Sequence, residues 1–468
     1  MCRVCDTILT LRDGSEMTGQ YPCSAWKKGE RKRYIMNSKL LADLAQFIQE
    51  SPSGYHAVRS IRRRLDAAGF SELEESSEWK LAPGQSGYVI RNGSSIIAFR
   101  LPEDRIESFH IVASHSDSPT FKLKPEPVLT AQGAPARLNV EAYGGMIRAS
   151  WFDRPLSVAG RVLVDAGEKL EQRLVSFDRD LVMIPSLAIH LSRGEKEPSG
   201  AAISVQKELL PLLGDGMDND EWLRLLCEQA ETEPERILGA DLFLTCRMPA
   251  SVWGAHREYF SAPRLDDLAC VHASLEGFLN AEVRGHAAIY CVFDNEEVGS
   301  RSMQGAESTF LSGATRRLLR SLGADDEAYD RAVAGSFLIS ADNAHACHPG
   351  YPEKYDPVNR PRMNGGLVLK HQAGQRYTTD AVSEAVFKRL CKQHEIPYQE
   401  YVNHSDVPGG STLGNISNTQ LSVRSADIGL AQLAMHAAYE TMGAADAEYL
   451  ARFAEVFYRE ALPQIEGI

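Results

Sequence analysis

The sequence predicts an α/β fold: a mostly parallel central sheet flanked by helices and interrupted by an inserted, mainly β unit. Three observations point there. Strand-like apolar runs alternate with helical periods in both outer parts of the chain; 286–293 is an unbroken apolar run suited to a strand covered on both faces; and the middle of the chain changes to period-two strands with Gly-rich turns.

The elements follow in order. Residues 1–35 are polar, basic and without period, and read as a poorly ordered extension, with Met36 as an alternative start of the folded part. A helical period then appears in 39–50, where Leu40, Leu41, Leu44, Phe47 and Ile48 share one face, and again in 56–68. Runs 96–100 and 109–114 have strand character, each followed by a polar or Pro-containing turn. From 128 to 251 the short strands 139–143, 155–164 and 174–177, together with an acidic stretch near 215–220, predict an inserted β-rich domain. It would split an α/β catalytic domain into 36–127 and 252–468. The α/β pattern resumes with Leu268, Val271, Leu275 and Leu279 at helical spacing in 265–280. Strands are then predicted at 286–293, 336–340, 367–369, 398–402 and 421–423, separated by helices such as 381–394.

Composition narrows the function classes. A chain of 468 residues, at about 150 per domain, has room for two or three cores. Hydrophobic residues at 43% and charged residues at 24% are ordinary globular usage and exclude a disordered or fibrous chain. The net charge of −13 argues against a broad phosphate-binding surface, and so against nucleic acid as a partner. No apolar run approaches the roughly 18 residues of a membrane span, and the first residues lack a secretory core, so a cytoplasmic protein without a membrane partner is expected. Nine scattered cysteines do not form a disulfide framework, and the C-x-x-C of Cys2 and Cys5 lacks the second pair of a metal site.

Sites in open α/β sheets form beyond the carboxyl ends of the strands. The run 109–114 is followed by His115-Ser116-Asp117, an arrangement that can offer an imidazole to a metal with Asp117 holding the ring from behind. The run 286–293 is followed by Asp294-Asn295-Glu296-Glu297, and 336–340 by Ala341-Asp342-Asn343-Ala344-His345. Arg264-Leu265-Asp266-Asp267 opens a helix, and Met435-His436 follows the turn after Gly429. A single histidine is more often a satisfied polar residue than a ligand, and paired glutamates usually belong to a solvated loop. Glu296 and Glu297 differ, because two carboxylates at the end of a buried strand need a cation or protons to offset their desolvation. Two histidines with three carboxylates make a nitrogen and oxygen set suited to two zinc ions, one carboxylate bridging them, with a neighbouring carboxylate to move the proton of an activated water.

The strings ASHSDSP (113–119), YGGMIRASWFDRPLSVAGRV (143–162), RLDD (264–267), NEEVGS (295–300), SADNAHACHP (340–349), QRY (375–377) and LAMH (433–436) occur in that order, and with them the chain resembles the aspartyl aminopeptidase family from about 37 to 460. The resemblance implies a zinc exopeptidase-like fold and two Zn2+ per subunit, one position exchangeable with Co2+ or Mn2+. It implies His115 and His436 as terminal ligands, Asp266 as the bridge, Glu297 and Asp342 completing the coordination, and Glu296 as general base. Lys370 and Tyr377 would meet an acidic substrate side chain, and His345 the reacting carbonyl. His190 resembles a histidine lent across a dimer interface to a neighbour's site. The implied activity is removal of N-terminal Asp or Glu from peptides with a free N-terminus, in a homo-oligomer of the dodecamer-of-dimers type, with 128–251 as the dimerisation domain. Two strings depart from the family's pattern: the usual MHSxRE reads Met435-His436-Ala437-Ala438-Tyr439-Glu440, and RLDN reads Arg264-Leu265-Asp266-Asp267. The first change weakens the case for strict acidic specificity. Another co-catalytic zinc hydrolase, a deacylase or carboxypeptidase, is the alternative enzyme reading; a non-catalytic assembly or cargo protein is the alternative from another class.

Overall fold

In the computed structural model, which describes residues 5–10, 16–21, 38–191, 203–463 and 465, the run His286–Phe293 is a strand buried along its whole length. Its alternate side chains feed two separate cores. Ala288, Tyr290 and Val292 join residues of the helices Leu265–Asn280 and Asp446–Arg459. Ala287, Ile289, Cys291 and Phe293 pack with Phe310, Leu311 and Leu318 of the helix Phe310–Ser321. That two-sided cover is why the run is continuous rather than alternating, and each large side chain so buried contributes roughly 1.5–3 kcal/mol. The helices Leu265–Asn280 and Asp446–Arg459 approach closely at Gly277, where a Cβ would lie 2.6 Å from Ala451 O and Ala454 Cβ.

The strand belongs to a nine-stranded mixed sheet, α/β as the sequence predicts. At its centre Arg424–Gly429, Phe337–Ala341, Ser108–His115 and His286–Phe293 lie side by side and parallel. Their carboxyl ends therefore open on one edge, where a ligand site is expected. Antiparallel neighbours, Leu367–His371 on one side and Ser95–Arg100 on the other, flank this parallel centre.

A separate six-stranded sheet is built from Thr120–Ala131, Ala134–Tyr143, Leu156–Asp165, Leu170–Ser176, Leu212–Gly214 and Ile237–Cys246. It has its own core, in which Trp222 and Leu226 of the helix Asn219–Ala230 pack with Val158, Val162 and Leu242. Asp218 caps that helix by accepting from Glu221 N, so the acidic stretch near 215–220 is a helix start. A five-stranded sheet, absent from the sequence reading, joins Ser251–Trp253, Tyr259–Ala262, Glu440–Gly443, Ala431–Leu433 and Ala344–His345.

Three expectations need correction. The boundary drawn between 127 and 128 cuts through the strand Thr120–Ala131, which hydrogen bonds hold to Ala134–Tyr143 on both sides of that point. The strand placed at 421–423 is instead Arg424–Gly429, whose Arg424, Ser425 and Asp427 break the apolar pattern. Within the extension 1–35, expected to lack order, Cys5–Thr10 pairs antiparallel with Glu16–Tyr21; Cys2, Met36 and the rest of that segment lie outside the described residues. Among the described residues no helix is long and apolar enough to cross a membrane.

Candidate metal centre

Six side chains meet at the edge where the parallel strands end. His115 is the last residue of its strand, and Asp342 directly follows Phe337–Ala341. Asp266 lies in the first turn of its helix, and the peptide joining it to Asp267 is cis. Glu296 and Glu297 begin a short 3-10 turn after Asn295, which holds a left-handed φ of 62°. His436 projects from the turn between Ala431–Leu433 and Glu440–Gly443, also at positive φ.

Two overlapping groups share Asp266, and Glu296 falls in a third with His115 and Glu297. Asp266 Oδ1 lies 3.4 Å from His115 Nε2, and Asp266 Oδ2 lies 3.6 Å from His436 Nε2. Asp342 Oδ1 is 3.9 Å from His115 Nε2, and Glu297 Oε2 is 3.5 Å from His436 Nε2. Ligand-type atoms of His115, Asp266, Asp267 and Asp342 lie within 4.8 Å of one another, as do those of Asp266, Glu297 and His436, and those of His115, Glu296 and Glu297. One carboxylate thus turns an oxygen toward each imidazole.

The surroundings orient these side chains. The Nδ1 of His115 faces Asp117 O at 3.1 Å and can only donate to it, which leaves Nε2 as the ring nitrogen that faces Asp266 and Asp342. Asp117 Oδ1 accepts from Glu296 N and Asp117 Oδ2 from Glu297 N, both at 3.1 Å. The buried carboxylate of Glu440 accepts from Asp266 N and His436 N. Asp267 Oδ2 accepts from His115 N at 3.2 Å. The roles of Asp267 and Glu440 escape a reading of the sequence, although both residues stand inside the strings RLDD and MHAAYE.

Charge crowding makes the set expensive without cations. Burial pushes the Glu296 carboxyl up to about 8 and raises Glu297 and Asp342 as well. Burial also works against Asp266, yet His115, His436 and Lys370 hold it below the usual carboxylate range. The buried oxygens Asp266 Oδ1 and Glu297 Oε1 have no hydrogen-bond partner among the described residues. Burial opposes a charge on His115, yet the Asp117 and Asp266 carboxylates hold its pKa well above the ordinary value. Buried carboxylate oxygens gathered with imidazole nitrogens are a donor set that zinc takes. Two other acidic clusters are already answered by the chain's own cations: Arg64 bonds Asp43 beside His272, and Lys388 bonds Glu384 and Glu400 beside His371.

Beside this cluster lie Lys370, Tyr377 and His345. Lys370 is 3% exposed, donates to Asn343 O at 2.8 Å and stands 4.0 Å from Asp342 Oδ1. Burial opposes its charge, but Asp342, Tyr377, Asp427 and Asp266 hold its pKa above the ordinary value. Its ammonium lies over the Tyr377 ring, 5.5 Å from the centroid. His345 packs edge-on to Tyr401, and burial followed by Lys370 lowers its pKa to about 4, so the ring is neutral. His190 is not part of this gathering. It sits in an exposed turn of the segment that carries Leu187, Ile189 and Leu191, which are 60%, 66% and 72% exposed.

Comparison with known proteins places this geometry in context. Residues 47–458 match the family described as Aminopeptidase I zinc metalloprotease (M18). The chain is 42% identical over 429 residues to a probable M18 family aminopeptidase 2 of Clostridium novyi (strain NT), covering 90% of this chain and 98% of that one. It superposes with a TM-score of 0.85 and 34% identity on a chain from the cryo-EM structure of the Ape4 and Nbr1 complex, covering 90% and 85% of the two chains. It matches the S. cerevisiae mApe1 dodecamer with a TM-score of 0.79 and 25% identity, over 90% and 96%.

Proposed function

The chain belongs to the aminopeptidase I zinc metalloprotease (M18) family and is a zinc-dependent aminopeptidase; from that premise we propose that it holds two zinc ions and releases acidic residues from the N-termini of peptides, with Glu296 as general base. The observation that carries this reading is the division of Asp266, one oxygen toward each of two histidines. His115 and Asp342 would share one zinc with Asp266, and Glu297 and His436 the other. Bound zinc supplies a polarised carbonyl and a water acidic enough to ionise near neutral pH.

The protein's own groups do the remainder. Glu296 stands beside His115 and Glu297, where a carboxylate can take the water's proton and return it to the departing amine. Asp117 aims it by holding its main-chain N–H. Lys370, charged and buried, offers the partner that an acidic side chain requires, with Tyr377 beneath it. The neutral His345 is suited to donate one hydrogen bond to the reacting carbonyl.

The proposal extends to a large homo-oligomer of dimers, assembled through the six-stranded unit in the cytoplasm; the mApe1 dodecamer of S. cerevisiae among the structural neighbours supports the homo-oligomer. The exposed apolar run Leu187, Ile189 and Leu191 is the surface that would be covered, bringing His190 to a neighbouring subunit's site. The experiment is zinc analysis of the purified protein combined with a panel of Asp, Glu and neutral aminoacyl fluorogenic substrates, with and without N-acetylation. Two zinc ions per chain and cleavage of free Asp and Glu substrates are expected. Preference for acetylated substrates would favour a deacylase, and a metal-free inactive protein would favour an assembly role. Glu296→Gln should keep both metals and lose at least about 100-fold in kcat.

A further inference from the structure

The segment 143–150 leaves the six-stranded sheet and touches three of the loops that carry the metal centre. In the hairpin of Thr120–Ala131 and Ala134–Tyr143, Thr120 pairs with Tyr143, so the register returns the chain beside Asp117. Tyr143 Oη donates to Asp117 Oδ2 at 2.7 Å and accepts from Asn295 Nδ2 at 2.8 Å. The next residue, Gly144, is in the left-handed region at φ 76°, and a Cβ there would lie 3.2 Å from Glu297 Cβ and 3.3 Å from Glu297 O. Ile147 N donates to His436 O at 3.0 Å, and Ser150 Oγ accepts from Ala438 N at 2.9 Å.

We propose that Tyr143 is a positioning residue for the reaction, the anchor of a strap through which the six-stranded unit sets the placement of Glu296 and Glu297. The hydroxyl acts through Asp117, whose two oxygens hold the main-chain amides of Glu296 and Glu297. It also acts through Asn295, whose Oδ1 accepts from Ser302 Oγ and Gln304 Nε2 and so pins the start of the same turn. Burial, then the neighbouring Asp117 and Asp294, keep the phenol protonated, so it remains a donor. The ring itself is held edge-on against Phe243 of the same sheet, 5.6 Å between centroids. Packing therefore fixes the ring, and the hydroxyl alone reaches the catalytic turn.

The inference rests on the reading of Glu296 and Glu297 given above, and two readouts separate their failures. In the full-length, zinc-saturated protein, Tyr143→Phe keeps the ring contact and removes only the hydroxyl. The kcat should fall roughly 10–100-fold with KM within about twofold, and zinc release to excess chelator should quicken by about 10-fold. Thermal midpoint and zinc content should match the unsubstituted protein. Unchanged kcat and unchanged zinc release would overturn the proposal, as would a loss of activity that comes with a lowered midpoint, which would make Tyr143 a packing residue. Glu296→Gln with full activity would sink the general-base assignment alone, because the rate of zinc release does not depend on proton transfer.

Discussion

The carboxylate of Glu440 accepts the main-chain N–H of Asp266 at 3.0 Å from a position 174 residues later in the chain. Its other oxygen accepts from His436 N at 2.6 Å, so one buried side chain aligns Asp266 and His436 from two separate loops. Glu440→Gln offers a single carbonyl oxygen where two acceptors are needed. Zinc affinity, measured by competition with a chelator, should weaken roughly 10–100-fold while the fold persists.

Asp267 stands where the family's pattern has Asn. Its Oδ2 accepts from His115 N, and burial raises its carboxyl well above the ordinary range. An amide oxygen can accept the same bond without bringing a charge to a crowded site. Asp267→Asn should therefore retain two zinc ions and kcat/KM within about fivefold, whereas Asp267→Leu strands a buried N–H at a cost of about 1–3 kcal/mol. Zinc content and the thermal midpoint of the two variants check this.

Lys370→Met tests the proposed preference for acidic substrates. A hydrogen bond to a charged group contributes roughly 1.5–3 kcal/mol, so kcat/KM for Asp and Glu substrates should drop about 10–100-fold. Neutral substrates should change far less. An equal loss on both classes would show that Lys370 serves Asp342, 4.0 Å away, rather than the substrate.

Acid stability should depend on a pair of histidines that take no part in the candidate metal centre. The rings of His110 and His286 stack at 3.6 Å between centroids and donate to Phe457 O and Tyr458 O. Burial, then the neighbouring His286, lowers His110 from 6.5 to about 3; burial also lowers His286, whose neighbour Asp104 acts in the opposite sense. The unfolded chain binds these protons from pH 6.5 downward and the folded one does not. Their stabilising effect is thus complete above pH 6.5 and is lost as pH falls toward 3, by about 1.4 kcal/mol per pH unit for each ring that resists protonation. His110→Phe removes one such ring and one buried donor. It should be about 1–3 kcal/mol less stable at pH 7, with a shallower decline on acidification. Urea unfolding between pH 7 and 4 measures both.

What could be read from the sequence was what local pattern encodes. His286–Phe293 announced itself because both faces are buried, and the two glutamates after it stood out as charge placed where charge is costly. Arg424–Gly429 was misplaced because Asp427, buried in its middle, is satisfied by Thr378 and Thr412, contacts that no local window contains. Glu440, Asp267 and Tyr143 carried no signal of their own for the same reason: each works through a main-chain N–H or a carboxylate supplied by a distant loop. The boundary at 127 failed because the hairpin runs through it, and hairpin register depends on the partner strand.

The most direct measurement is an anomalous-scattering map from crystals of the zinc-loaded protein, collected at the zinc absorption edge. Two peaks per chain are expected, one within bonding reach of His115, Asp266 and Asp342 and the other of Asp266, Glu297 and His436. A single peak, or two peaks that do not share Asp266, would contradict the dinuclear centre.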